Sequence, residues 1–454
     1  MRARPRLPDT VRNPVSLLGI AIATAMAAVF LVLVALHLAG FLKNPYVGLL
    51  VFIALPLLFL TGLALIPAGA WWTARRRAHH GGTPDWPVID LRQPRQRTIA
   101  LAVIALTAVN VLIVALAANG AVHAMESNAF CGQVCHTTME PQATAHRVWP
   151  HASVSCTQCH VGPGAGSFVE AKLAGTRQLF HVVTGRVPKP IPPPSQLIQP
   201  ARATCEGCHW PDSFHGDVVR VVREYAADEA NTESSTTLRL HVGGGSRRLG
   251  SGSGIHWHMN LDNRIDFIAS GEREEVIPYV RVTDRQGQVR EYFAEGTTRD
   301  QVAGKPVRRM DCMDCHNRPA HTFDVSPERA VNAALADGRI PRQLPFVRRE
   351  AVNAVRESYQ DKQAALKEIA QRLTRFYDER GGVDPAMVRR AVAATQDVWA
   401  TNVFPAMRVT WGTYPNHIGH VDSPGCSRCH DDSHKAADGK VISQDCELCH
   451  TVPE

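Results

Sequence analysis

The sequence predicts a mostly α chain in two parts: three transmembrane helices, then a cysteine- and histidine-rich domain with a small β insertion and a helical insertion. Three observations predict it. Apolar runs at about 14–40, 45–72 and 98–118 are each long enough to cross a bilayer as a helix. After the third run, twelve cysteines fall in six pairs, and a histidine follows every pair directly. Between the pairs the pattern switches from period-two alternation to a 3.6-residue apolar period.

The membrane part has both a boundary and a direction. Trp71 and Trp72 close the second run where an interfacial aromatic belt would stand. Arg2, Arg4, Arg6 and Arg12 could make the first run a secretory leader, but it is too long and no small-residue cleavage site follows. Residues 1–13 hold four arginines, and the second connection holds Arg75, Arg76, Arg77, Arg92, Arg95 and Arg97, against only Lys43 in the first. The positive-inside rule therefore puts the N-terminus and residues 73–97 in the cytoplasm of a bacterial cell. Everything after residue 118 is then periplasmic, on a multi-pass protein of the inner (cytoplasmic) membrane.

Five of the pairs are intact C-x-x-C-H units: CTQCH at 156–160, CEGCH at 205–209, CMDCH at 312–316, CSRCH at 426–430 and CELCH at 446–450. This is the attachment signature of c-type haem. The thiolates of Cys156 and Cys159, Cys205 and Cys208, Cys312 and Cys315, Cys426 and Cys429, and Cys446 and Cys449 would each hold one porphyrin edge. His160, His209, His316, His430 and His450 would then bind the irons on the proximal side. Structural zinc also uses C-x-x-C pairs, but zinc does not demand a histidine after every second cysteine. The remaining pair, in FCGQVCHTTMEP, has three residues between Cys131 and Cys135 before His136. No cysteine is left over for a disulfide framework. Six covalent haems are expected, forming much of the domain's core.

The formal charge of +7 does not point to nucleic acid. Residues 1–97 hold 11 Lys and Arg against 3 Asp and Glu, a balance of +8, and the remainder holds 38 against 39. The basic residues belong to membrane topology, and haem propionates would make the second part acidic.

Expected segments are 1–124 for the membrane anchor, 125–216 for a trihaem module and 217–325 for a β-containing insertion leading to the fourth haem. Helices follow at 326–403 and a dihaem segment at 404–454. TTLRLHVGGG alternates like a strand, and VIPYVRVTDRQGQVREYF reads as two strands around a Gln-Gly turn. AVNAVRESYQDKQAALKEIAQRLTRFYDER reads as helix, closed by Gly381 and Gly382.

Electron-carrying haems need a second axial ligand, and 21 histidines are present. His321, His434 and His215 lie just past a motif, and His151 just before one. GIHWHM offers His256 and His258, which in a strand would point to opposite faces and serve two haems. PNHIGH offers His417 and His420, with His420 preferred; His123, His181 and His241 rank below these.

FCGQVCHTTMEP, WPHASVSCTQCHVGPGAGSFVEAKLAGTRQ and RATCEGCHWPDSFHGD together resemble the NapC/NirT family of membrane-anchored multihaem quinol dehydrogenases. With MDCMDCHNRPAHTF, GIHWHM and CSRCHDDSH, the longer chain is similar to the ImcH-like group of that family. The resemblance implies a protein that oxidises menaquinol or ubiquinol from the membrane pool and feeds a periplasmic cytochrome or reductase in anaerobic or metal respiration. It implies that Met139, in the place of the family's methionine ligand, or His136 binds the first iron. Met139 stands three positions past His136 where the family has two. It also implies a quinol site near Lys172, with Gln178 about where the family has an acidic residue. A rival class, a periplasm-facing terminal reductase or a relay fed by another protein, would need an open iron. No C-x-x-C-K motif is present to provide one.

Overall fold

A long apolar stretch makes each of the first three helices, α1 (Pro14–Leu38), α2 (Leu55–His79) and α3 (Pro94–Glu126), with charged residues only at the ends. All three are long and apolar enough to cross a membrane. The computed structural model describes residues 12–38, 54–79, 92–134, 136–162, 164–192, 201–210, 214–244, 253–260 and 262–453. These fall in two compact units, Met1–Val134 and Cys135–Glu454.

In the first unit, α1 and α2 approach until backbone meets backbone. A Cβ on Gly19 would lie 2.7 Å from the Gly62 carbonyl, and one on Gly69 would lie 2.6 Å from Ser16 Oγ. Ser16 Oγ donates to the Ile66 carbonyl at 2.9 Å across the same contact. Small residues and one interhelical hydrogen bond do here what hydrophobic driving force cannot do in lipid. Phe30, Phe59, Ile113 and Ala117 complete the packing with α3.

The helix ends differ from the apolar runs. The second helix continues past Trp72 to His79, because Ala and Arg are good helix formers and the basic side chains suit its C-terminal dipole. Arg75 and Arg76 lie over the Trp71 and Trp72 rings at 5.1 and 4.6 Å. The third begins at Pro94, which fits a first turn, and runs through Asn119 and Gly120 to Glu126. The expected start of the second helix, at 45, lies outside the described residues.

The second unit opens with α4 (His136–Arg147), α5 (Cys156–His160), α6 (Ala165–Val183) and the short α7 (Ala201–Cys205). Strands β1 (Val218–Tyr225) and β2 (Glu233–Leu240) form a hairpin, and β2 also pairs with β8 (His450–Thr451). A second antiparallel sheet has the order β6-β3-β4-β5-β7, with β3 at Arg264–Ser270, β4 at Val276–Thr283, β5 at Val289–Phe293, β6 at Arg308–Arg309 and β7 at Lys435–Ala436. Asp284 makes the β4–β5 turn by accepting from the Gln286 and Gln288 amides, and Gly287 takes φ +78°. Ile265, Phe267, Ile277 and Val280 pack behind this sheet. The short α8 (Arg299–Val302) and α9 (Cys312–Cys315) follow it.

Residues 327–402 form four helices, α10 (Pro327–Ala336), α11 (Val347–Arg356), α12 (Lys362–Arg380) and α13 (Pro385–Asn402). They close on a core that includes Val331, Ile369, Leu373, Tyr377 and Trp399. The stretch that reads as one helical pattern is two helices. Asp361 takes an extended conformation and its side chain accepts from the Ala364 amide, so it caps α12 and ends continuity with α11. Asn231, in the β1–β2 turn, donates to the Arg342 and Leu344 carbonyls and fixes the hairpin to this bundle.

Candidate haem-attachment sites

At the odd first motif, Cys131 lies in a π-helical turn, Phe130–Val134. Cys135 lies outside the described residues. Met139 is half-buried on α4.

Each of the other five motifs places its histidine opposite one distant histidine. His160 faces His321 with ring centroids 6.1 Å apart, and His209 faces His151 at 5.9 Å. His316 faces His256 at 6.2 Å, His430 faces His258 at 5.8 Å, and His450 faces His420 at 6.2 Å. Two imidazoles on opposite sides of one metal, each on a bond of about 2 Å, would have centroids roughly 6 Å apart. The residues present therefore fit haem iron held between two histidines.

Backbone carbonyls orient the rings. Nδ1 of His321 donates to Gln142 O at 3.0 Å, His151 to Pro319 O at 2.9 Å and His256 to Val242 O at 3.1 Å. His258 donates to Ile255 O at 2.7 Å and His430 to Ser443 O at 2.8 Å. Such a bond fixes the tautomer and leaves Nε2 unprotonated for a metal. Burial pushes the His160, His256, His258 and His316 imidazoles below their ordinary value, and His321 down to about 4, which also favours the neutral ligand form.

The cysteine pairs run in an ordered series. The Cys159 thiol lies within electrostatic range of Cys208, Cys205 of Cys312, and Cys426 of both Cys315 and Cys449. Motifs two to six are thus neighbours in sequence order. Burial pushes the Cys315 and Cys429 thiols up to about 12. Among the described residues no three His, Cys, Asp or Glu side chains converge on a common metal position, as structural zinc would require.

Two expected ligands stand elsewhere. His434 is buried and uses both ring nitrogens, Nδ1 with Asp431 Oδ1 at 2.9 Å and Nε2 with the Ile277 carbonyl at 2.7 Å. Proximity in sequence to His430 therefore does not bring its ring to face that of a motif histidine among the described residues. His215 is exposed and has no ring contact with a motif histidine among the described residues. His256 and His258 lie in a 3₁₀ turn, Ile255–Met259, rather than a strand, and it is the three-residue turn that points them apart. His417 is buried beside its preferred neighbour His420, with burial pushing it down to about 4.

The sequence reading missed His146. It is buried, its ring lies 6.0 Å from His321, and Nε2 donates to the Val154 carbonyl at 3.1 Å. Only its place ten residues after His136 could have drawn notice. Lys172 lies on α6 with Nζ 4.8 Å over the Phe168 ring. Gln178 is exposed on the same helix, and at about 100° per residue the two point some 120° apart.

Residues 93–190 match the model of the NapC/NirT cytochrome c family, N-terminal region. The chain is also 38% identical over 448 residues to the cytochrome c-type protein ImcH of Geobacter sulfurreducens, covering 97% of this chain and 88% of that protein. The chain belongs to the ImcH-like family of multihaem c-type cytochromes. No solved structure matches it. Family membership accounts for the regular Cys-x-x-Cys-His units, and it implies covalently bound haem c.

Proposed function

We propose that the chain is a hexahaem quinol dehydrogenase, oxidising menaquinol or ubiquinol at the inner membrane and delivering the electrons to a periplasmic cytochrome or reductase. The observation that carries this reading is the set of five histidine pairs, 5.8–6.2 Å apart, at the five intact motifs. Coordination closed on both sides suits electron transfer and leaves no open iron for a small substrate at those sites. This favours a dehydrogenase over a terminal reductase.

Six covalent haems supply one-electron redox capacity. His160 and His321 would hold the second, His209 and His151 the third, His316 and His256 the fourth, His430 and His258 the fifth, and His450 and His420 the sixth. Cys131 and Cys135, with His136 or Met139, would hold the first. A thioether ligand stabilises the ferrous state relative to two histidines, which suits a site that accepts electrons from quinol. Quinol oxidation also releases two protons, and the Lys172 ammonium is the charge proposed to stabilise the quinol anion. The positive-inside count puts that release on the periplasmic side.

The test is stopped-flow reduction of the membrane-reconstituted protein by a menaquinol analogue, followed in the haem α-band. Fast reduction of several haems is expected. Reduction by dithionite but not by quinol would make the chain a relay or reductase fed by another protein.

A further inference from the structure

The five histidine pairs share a spacing but not an angle. The planes of His256 and His316 are 3° apart, whereas those of His258 and His430 are 83° apart. The remaining pairs lie at 35° for His160 and His321, 65° for His151 and His209, and 26° for His420 and His450. His256 and His258 come from one 3₁₀ turn with only Trp257 between them.

We infer that the Ile255–Met259 turn is a positioning device that gives two neighbouring haems opposite ligand geometries, parallel at the fourth and perpendicular at the fifth, and so different electronic ground states. The inference rests on the ligand pairs of the proposed function. The physical reason lies in the iron dπ orbitals. Each imidazole donates π density into the iron orbital perpendicular to its ring plane. Parallel rings raise one dπ orbital above the other and give a rhombic low-spin ferric iron. Perpendicular rings raise both equally, leaving them nearly degenerate, and the low-spin signal becomes strongly anisotropic and ramp-shaped.

The chain fixes the turn firmly enough to set the planes of His256 and His258. Gly244 N donates to Ser253 O at 2.8 Å, Ile255 N to His241 O at 2.8 Å and His256 N to Val242 O at 2.9 Å. Gly254 takes φ +80°, and a Cβ there would lie 2.4 Å from the His241 carbonyl; one on Gly243 would lie 1.8 Å from Ser253 O. The two strands of chain thus meet with no room for a side chain. Asn263 Nδ2 donates to Trp257 O at 3.0 Å from the other side. Val242 O also accepts from His256 Nδ1, and Phe214 stacks on the His256 ring at 4.4 Å and 20°. His258 Nδ1 is held by Ile255 O, within the turn itself. Neither ring can rotate without breaking a hydrogen bond.

Electron paramagnetic resonance of the oxidised, haem-loaded full chain tests this. The wild type should show rhombic and strongly anisotropic low-spin species together. His258→Ala should convert one strongly anisotropic species to high-spin, and His256→Ala one rhombic species. Gly254→Ala keeps every ligand and should shift the low-field signals of these two haems at unchanged haem content. If that variant does not accumulate, Phe214→Leu should shift the fourth-site rhombic signal alone. Loss of a rhombic signal in His258→Ala would keep the pair and overturn the perpendicular geometry. Absence of any new high-spin signal would overturn the pair itself. Unchanged signals in both Gly254→Ala and Phe214→Leu would remove the positioning role.

Discussion

Arg428, inside the fifth motif, donates from Nη2 to the backbone carbonyl of Asp314, inside the fourth, at 2.6 Å. Arg428 is 8% exposed, and the other bonds of its guanidinium go to the Gly425 carbonyl at 2.8 Å and the Glu274 carbonyl at 3.0 Å. The Asp314 carboxylate meanwhile accepts from Arg308 at 2.6 Å and from the Asp311 amide at 2.7 Å. Two attachment motifs more than a hundred residues apart are therefore held in register by a buried arginine that spans three carbonyls. Lysine cannot reproduce that fork.

Arg428→Lys should lower stability by roughly 1–3 kcal/mol, because at least one buried carbonyl loses its donor. Denaturant unfolding of the haem-loaded protein measures it. A wild-type midpoint would show that the bridge contributes nothing.

His420→Ala and His434→Ala should separate a ligand from a structural histidine. The first should turn one haem high-spin. The second should leave all haems low-spin while costing about 1–3 kcal/mol for the carbonyl and carboxylate left behind. Optical and resonance spectra of the two variants decide the matter, and the reverse pattern would exchange their roles.

Met139→Leu should abolish or strongly slow reduction by quinol while haems two to six still form. Haem content is read from the alkaline pyridine spectrum and turnover from the α-band. Unaltered turnover would remove Met139 from the first site.

Lys172→Ala should slow quinol oxidation by about 10–100-fold if its charge stabilises the quinol anion, with haem content unchanged. Lys172→Arg should recover part of that rate. A wild-type rate in the alanine variant excludes Lys172 from the quinol site.

His417 gives a pH dependence. Burial pushes its imidazole from the ordinary 6.5 to about 4, so the unfolded chain takes up a proton at a higher pH than the folded one. Its contribution is complete above pH 6.5 and is lost as pH falls toward 4, up to roughly 3 kcal/mol in all. His417→Gln should flatten the stability profile across that window in denaturant titrations at stepped pH. An unchanged slope would assign the acid sensitivity to other groups.

The sequence by itself determined whatever depends on short range. Length and hydropathy of uninterrupted runs made the three membrane-length helices legible, and alternation around Asp284–Gln288 made the β4–β5 hairpin so. The attachment motifs were legible because two thiols and a histidine must reach one porphyrin within five residues. Tertiary structure decided the partners. His321 meets His160 and His151 meets His209 across long stretches of chain, and which histidine arrives depends on how loops dock. Local proximity could not show that at His434 an aspartate three residues back and the Ile277 carbonyl, presented by the folded sheet, meet both ring nitrogens. Periodicity alone ran α11 into α12, since a cap at Asp361 breaks a helix without breaking an apolar pattern. The angle between two imidazole planes lies beyond any sequence pattern, because it is set by glycines and carbonyls that approach one another only in the folded chain.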